Sequence, residues 1–144
     1  LKSGFTKGIS PALVDALVDN LESDLFRGSM AFFQQAGGAV SRVETSATAF
    51  PHRYASHNLT IGAVWPHGVD PEPHSAWADA YWNKVKGFTD GFYTNDAYGI
   101  DAAVAESNYL TNHDRLVEVK TKYDPANLFR VNTNIRPASQ KQPS

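Results

Sequence analysis

The chain has 144 residues, 42% hydrophobic and 19% charged, a balance that excludes the disordered and low-complexity classes and suits one ordinary domain with its own core. A formal net charge of −2 offers no basic stripe to neutralise phosphates, which argues against nucleic acid or an anionic membrane as partner. The absence of cysteine removes disulfide frameworks, thiolate nucleophiles and cysteine-based zinc sites together, and no apolar run approaches the roughly 18 to 20 residues that span a bilayer.

The opening Leu1-Lys2-Ser3-Gly4-Phe5 lacks the charged and apolar regions of a signal peptide, resembles a cut inside a longer chain, and is assigned to a strand. Ser10-Pro11 reads as an N-cap with proline at the first helical position. Leu13, Val14, Leu17, Val18 and Leu21 follow at helical spacing, predicting a helix over residues 11–25 that Gly28 terminates. Residues 30–43 suggest a strand, a kink at Gly37-Gly38, and more strand. Residues 47–52 read as an edge strand, because Pro51 cannot donate to a central ladder. Residues 58–65 read as another strand, and Asn58-Leu59-Thr60 within it is a glycosylation sequon of a kind that arises often by chance.

Trp77, Tyr81, Val85 and Phe88 fall at i, i+4, i+8 and i+11, the spacing of a second helix that Gly91 could close. Trp65, Trp77 and Trp82 are read as core or helix-face aromatics. The stretch 92–109 reads as irregular. A third helix starts near Thr111 or Asn112, aligns Leu116, Val119 and Tyr123 along one stripe, and stops at Asp124-Pro125, since the residue before proline is driven out of the helical region. Residues 137–144, polar and with two prolines, read as a frayed tail. The fold class is therefore α+β, an antiparallel sheet from residues 1–5, 30–43, 47–52 and 58–65 with the first two helices on one face.

Several chemistries drop out. There is no Gly-x-Ser-x-Gly elbow for acyl transfer, and the five histidines show no His-x-x-x-His spacing, so no metal site is expected. No glycine-rich phosphate loop is present either, and a dinucleotide would need residues from elsewhere.

What remains is a closing pattern: Tyr93-Thr94-Asn95-Asp96, then Tyr109-Leu110-Thr111-Asn112-His113-Asp114-Arg115-Leu116, then the run from Val119 through Lys120-Thr121-Lys122-Tyr123-Asp124-Pro125-Ala126-Asn127-Leu128-Phe129 to Asn132, Asn134 and Ile135. In order and spacing these segments resemble the end of the berberine bridge enzyme-like FAD-linked oxidases. Upstream, Gly37-Gly38-Ala39-Val40, Thr48-Ala49-Phe50-Pro51-His52-Arg53 and Trp65 are similar to that family's substrate-domain strands.

The resemblance implies that residues 1–92 form the second half of a substrate-binding domain, that 93–136 are the segment returning to the FAD domain, and that the third helix packs against that domain. It implies FAD as cofactor, held by an N-terminal domain outside this chain. The activity implied is that of an FAD-dependent oxidoreductase acting on a hydroxyl or amine of a carbohydrate, alkaloid or other secondary metabolite, with oxygen as acceptor, and inactive without the FAD domain. Its partners would be that domain and a small-molecule substrate, with homodimerisation also open. The compartment is left unassigned, a soluble chain being expected and the cytoplasm only weakly favoured. The family's base stands at the last position of Tyr-x-Asn-Tyr, which here is Asp96; a carboxylate with a reference pKa of about 3.9 is a weak base unless burial raises it. Asp96, Tyr93 and Tyr98 stay open for that role, as does a plain turn carboxylate for Asp96. By the same resemblance Asn95, Asn132 and Asn134 face the flavin, although asparagines also favour turns, and Phe50, His52 and Arg53 border the substrate pocket. Lys120, Lys122 and Arg130 read as a solvated face, and Arg115 as a partner of Asp114 or Glu118. The alternative is a free-standing α+β binding or dimerisation module without flavin.

Overall fold

The computed structural model describes residues 1–21, 28–96, 101–131 and 133–138. The chain divides into two compact units, Leu1–Ser41 with Tyr54–Ala97, and Arg42–Arg53 with Tyr98–Ser144.

The first unit is built on three antiparallel strands, β1 (Lys2–Thr6), β2 (Met30–Gln35) and β3 (His57–Gly62), in the order β1-β3-β2. The side-chain period of two along β3 sends His57, Leu59 and Ile61 to one face and Asn58, Thr60 and Gly62 to the other. Gly4 and Phe33 lie opposite Leu59, and Lys2 and Ala31 opposite Ile61, so register and apolar pattern agree. Two helices cover the face of Leu59 and Ile61: α1 (Pro11–Leu21), whose Ser10 Oγ accepts the Leu13 amide at 3.2 Å, and α2 (Glu72–Val85). Leu13, Leu59, Ile61, Tyr81 and Val85 form the buried centre, with Leu17, Trp77 and Trp82 packed against it. Each such side chain contributes about 1.5–3 kcal/mol by leaving water. The architecture is the α+β sheet with helices on one face that the sequence predicts.

Two local features hold the layers together. The Tyr81 hydroxyl donates to the Leu17 carbonyl at 2.8 Å, tying α2 to α1, and burial pushes the phenol up to about 12. A Cβ on Gly4 would stand 2.6 Å from Thr89 Oγ1 and 3.0 Å from the Trp82 ring, so only glycine lets β1 come so close to the helical layer. Beyond β1 the sheet edge is partly paired, Phe5 exchanging backbone hydrogen bonds with Asp90 at 3.2 and 2.8 Å.

The expected strands at 30–43 and 47–52 need correction. β2 ends at Gln35, Gly38 adopts φ +68° in the turn that follows, and Val40–Arg42 winds into one turn of 3-10 helix. Residues 47–52 form no strand: Thr45–Ala47 is a second 3-10 turn, and the chain beyond it is irregular. The physical reason is that two carbonyls of this stretch, those of Thr45 and Thr48, are satisfied by the Asn112 side chain at 2.7 and 3.0 Å instead of by a ladder partner. β3 ends at Gly62, short of Trp65, which stacks on His74 at 5.4 Å. The expected continuation of α1 over residues 22–25 lies outside the described residues.

The second unit carries α3 (Ala102–Asn108) and α4 (His113–Tyr123). α3 falls inside the stretch read as irregular; its signal was Asp101 ahead of an alanine-rich run, and the Asp101 carboxylate accepts the Ala103 amide at 2.8 Å as an N-cap. Leu110, with φ +49°, marks the sharp joint between the two helices, and α4 stops at Asp124, whose φ of −143° and ψ of 60° are non-helical. The buried side chains of this unit are mostly polar: His52, Asn108, Asn112, Asp124 and Asn127. Among the described residues no helix is long and apolar enough to cross a membrane.

Candidate functional site

The Tyr93-Thr94-Asn95-Asp96 element belongs to the first unit and closes on itself. Thr94–Asp96 is a single 3-10 turn in which the Asp96 amide donates to the Tyr93 carbonyl at 3.0 Å. The Asn95 carboxamide donates through Nδ2 to the Tyr93 hydroxyl at 2.8 Å. Tyr93 is 39% exposed, Asn95 is exposed and Asp96 half-buried, so the turn gathers a phenol, an amide and a carboxylate where a ligand can reach them. Tyr98 lies outside the described residues.

On the sheet face opposite the helices, β1 and β3 place Ser3 beside Thr60 and Phe5 beside Asn58. These four are buried, and Ser3 Oγ and Asn58 Oδ1 have no hydrogen-bond partner. Sequence reasoning missed this polar face; the alternation of Asn58 and Thr60 with Leu59 and Ile61 was its signal. Asn58 is only 4% exposed, so its sequon lies shut inside the central strand. A recess of about 420 Å³ at the start of α1, lined by Lys7, Gly8, Ile9, Ser10, Leu13 and Phe88, involves none of the expected site residues.

In the second unit Phe50, His52 and Arg53 cluster, though not on the strand expected for them. Phe50 and His52 meet edge to face at 5.7 Å, and the Arg53 guanidinium lies 5.0 Å over the Phe50 ring while donating to Thr48 Oγ1. His52 is buried, its Nε2 3.1 Å from Asn108 Oδ1, so its imidazole is locked in place while the Phe50 and Arg53 side chains stay partly accessible. Asn134 is half-buried with Oδ1 covered and unpartnered; Asn132 lies outside the described residues.

The Lys120-to-Phe129 motif corrects a further expectation. Lys120 is not part of a solvated face: its ammonium is largely covered and donates to the Asp124 carboxylate and the Phe129 carbonyl. Asp124 in turn accepts the amides of Leu128 at 2.8 Å and Phe129 at 3.0 Å. The Lys120 hydrogen bond, foremost, and these two amides hold the Asp124 carboxyl below the usual carboxylate range against the opposing effect of burial. Asn127 adopts φ +53° inside the turn so closed. Arg115 pairs with Glu118 at 3.0 Å on the surface, and no cluster that could hold a metal ion occurs among the described residues.

With a covered antiparallel sheet, an exposed Tyr-x-Asn turn and this carboxylate-closed terminus in place, the chain can be set beside known proteins. Residues 88–136 match the family described as "Berberine and berberine like". An FAD-linked oxidoreductase of Dictyostelium discoideum is 25% identical over 91% of this chain and 29% of its own length. Berberine bridge enzyme-like C-1 of Nicotiana tabacum is 29% identical over 94% of this chain and 30% of its own length. A glycopeptide hexose oxidase solved in complex with teicoplanin superposes with a TM-score of 0.77 at 25% identity, over 94% of this chain and 32% of that one.

Residues 88–136 thus match the berberine and berberine-like family, and the chain as a whole is similar to berberine bridge enzyme-like FAD-linked oxidoreductases. It spans about 30% of the length of the curated relatives it matches.

Proposed function

We propose that the chain supplies the substrate-facing portion, residues 1–92, and the closing segment, residues 93–136, of an FAD-dependent oxidoreductase. It oxidises a hydroxyl or amine of a carbohydrate, alkaloid or other secondary metabolite, passes electrons on to oxygen, and does not turn over without the FAD domain. The observation that carries this reading is the family match at residues 88–136, which takes in the Tyr93 turn and the Asp124-closed terminus together.

The residues present fit a flavin in kind. Asn134 keeps a covered acceptor oxygen without a partner, suited to a ring imide N–H. Asn95 donates through Nδ2 and so retains an acceptor oxygen of its own. Asn132 completes the set in this reading. When bound, the flavin supplies the acceptor for the hydride that leaves substrate carbon.

The chain's own task is the proton. In this reading Tyr93 takes it as a phenolate, whose oxygen the Asn95 carboxamide faces as a donor, and returns to the neutral phenol, while Asp96 is the alternative acceptor within the same turn. Phe50 offers a ring and Arg53 a cation for substrate binding, on a backbone that His52 anchors through Asn108.

The test is the polypeptide that joins this chain to an upstream FAD region. It should be yellow and should release peroxide with a subset of sugars or amines. Tyr93→Phe should lower kcat by about 100-fold or more with the flavin absorbance intact, as befits loss of a general base. A colourless, self-associating product would sink the proposal in favour of a flavin-free dimerisation module.

A further inference from the structure

The chain beyond α4 returns to that helix twice. At the near end the Lys120 ammonium donates to the Phe129 carbonyl, within the turn that Asp124 closes through the Leu128 and Phe129 amides. At the far end the Ala138 amide donates to Thr121 Oγ1 at 2.9 Å, and the same hydroxyl donates to the Val117 carbonyl at 2.7 Å. A threonine hydroxyl carries one proton and two lone pairs, so giving the proton to Val117 leaves the oxygen turned as the acceptor that Ala138 needs. Pro137, next to this contact, is fully buried. Two consecutive helix residues, Lys120 and Thr121, thus hold residues 129 and 138, and the segment 130–137 between them has its ends drawn together in the manner of an Ω-loop. Asn134 stands in the middle of that segment, with its Oδ1 covered and without a hydrogen-bond partner. A covered acceptor left open is costly, and a loop free at either end would turn the carboxamide toward water or a donor to relieve the cost. A loop pinned at both ends has no such freedom.

We infer that Thr121 is a positioning residue: together with Lys120 it clamps residues 130–137 to α4 and keeps the Asn134 acceptor open for the imide N–H of the flavin. The inference rests on the proposed function for the identity of that ligand, and on the two anchoring bonds for the geometry. Thr121 acts through Ala138 and touches no reacting group.

The polypeptide that joins this chain to an upstream FAD region provides the test. Thr121→Val keeps the shape of the side chain and removes the hydroxyl. It should speed hydrogen exchange at the Ala138 amide by about 10-fold, as loss of one hydrogen bond requires, and should displace the flavin absorbance bands. Thr121→Ser, which keeps the hydroxyl, should show neither change. Asn134→Ala should displace the bands in the same way while exchange at Ala138 stays as it was, and adding Thr121→Val to it should move them no further. Bands that stay in place when Thr121→Val frees the Ala138 amide would overturn the inference. So would displacements by Thr121→Val and Asn134→Ala that simply add, since Thr121 would then act by another route. A joined protein that holds no flavin, but in which Thr121→Val moves the Asn134 carboxamide resonances and Thr121→Ser does not, would leave the clamp standing and remove the oxidase reading, so the two fail separately.

Discussion

The two units of the chain are stabilised by different means. In the first, Leu13, Leu59, Ile61, Tyr81 and Val85 meet between a sheet and two helices, and periodicity alone carries the information. In the second, the covered side chains are mostly polar, His52 and Asn108 joined to each other and Asn112 and Asp124 each holding backbone groups by hydrogen bonds, and α4 has no buried residue at all. Apolar packing accepts many sequences of the right volume, whereas a carboxylate that must reach two particular amides accepts very few. The family match accordingly falls on residues 88–136, where the polar closures concentrate, and not on the sheet.

This contrast can be broken by substitution. Leu59→Ala should cost about 2–5 kcal/mol in chemical denaturation, because the side chain is fully buried at the centre of the first unit. A loss under about 1 kcal/mol would mean that the packed layers are not the source of that unit's stability. Asn112→Ala removes the donor that serves two carbonyls and should cost about 1–3 kcal/mol. Its effect should show as faster hydrogen exchange confined to the second unit, and a uniform loss of protection would show that the units unfold as one.

Smaller effects sharpen the comparison through pH. The depressed Asp124 carboxyl contributes stability that is complete above its unfolded value near 3.8 and is lost as pH falls through its lower folded value. The amide resonances of Leu128 and Phe129 should shift together in that acid window, and Asp124→Asn should produce the same displacement at neutral pH. Tyr81 works in the opposite sense: its phenol is raised from 10 to about 12, so its contribution is complete below pH 10 and fades as pH climbs from 10 to 12. Spectrophotometric titration should find a phenolate near 12 that Tyr81→Phe removes, with about 0.5–1.5 kcal/mol lost along with the bond to Leu17.

How much was legible in the sequence follows the same division. The Ser10-Pro11 start, the stripes of α1 and α2, and the alternation in β3 are local signals, and they were read correctly because packing and propensity agree there. The misread stretch 47–52 looked like an edge strand because the carbonyl partner of Thr48, Asn112, lies more than sixty residues away and no window can anticipate it. Lys120 was misread for a related reason: a lysine in the last turn of a helix usually faces water, and only the return of Phe129 gives it a second acceptor. The Tyr93 turn was visible as a motif, but the hydrogen bond between Asn95 and the phenol is a matter of geometry that spacing does not specify. The polar sheet face was written into β3, where Asn58 and Thr60 occupy positions that the apolar residues leave to them.

The sequon in β3 has a consequence for handling the molecule. Asn58 sits in the middle strand with its side chain almost wholly enclosed, so an oligosaccharide on that nitrogen and a closed sheet exclude one another. Were the chain produced in a glycosylating host, sugar at that position would tag molecules modified before the strand was zipped in. A lectin column would then separate stragglers from finished product.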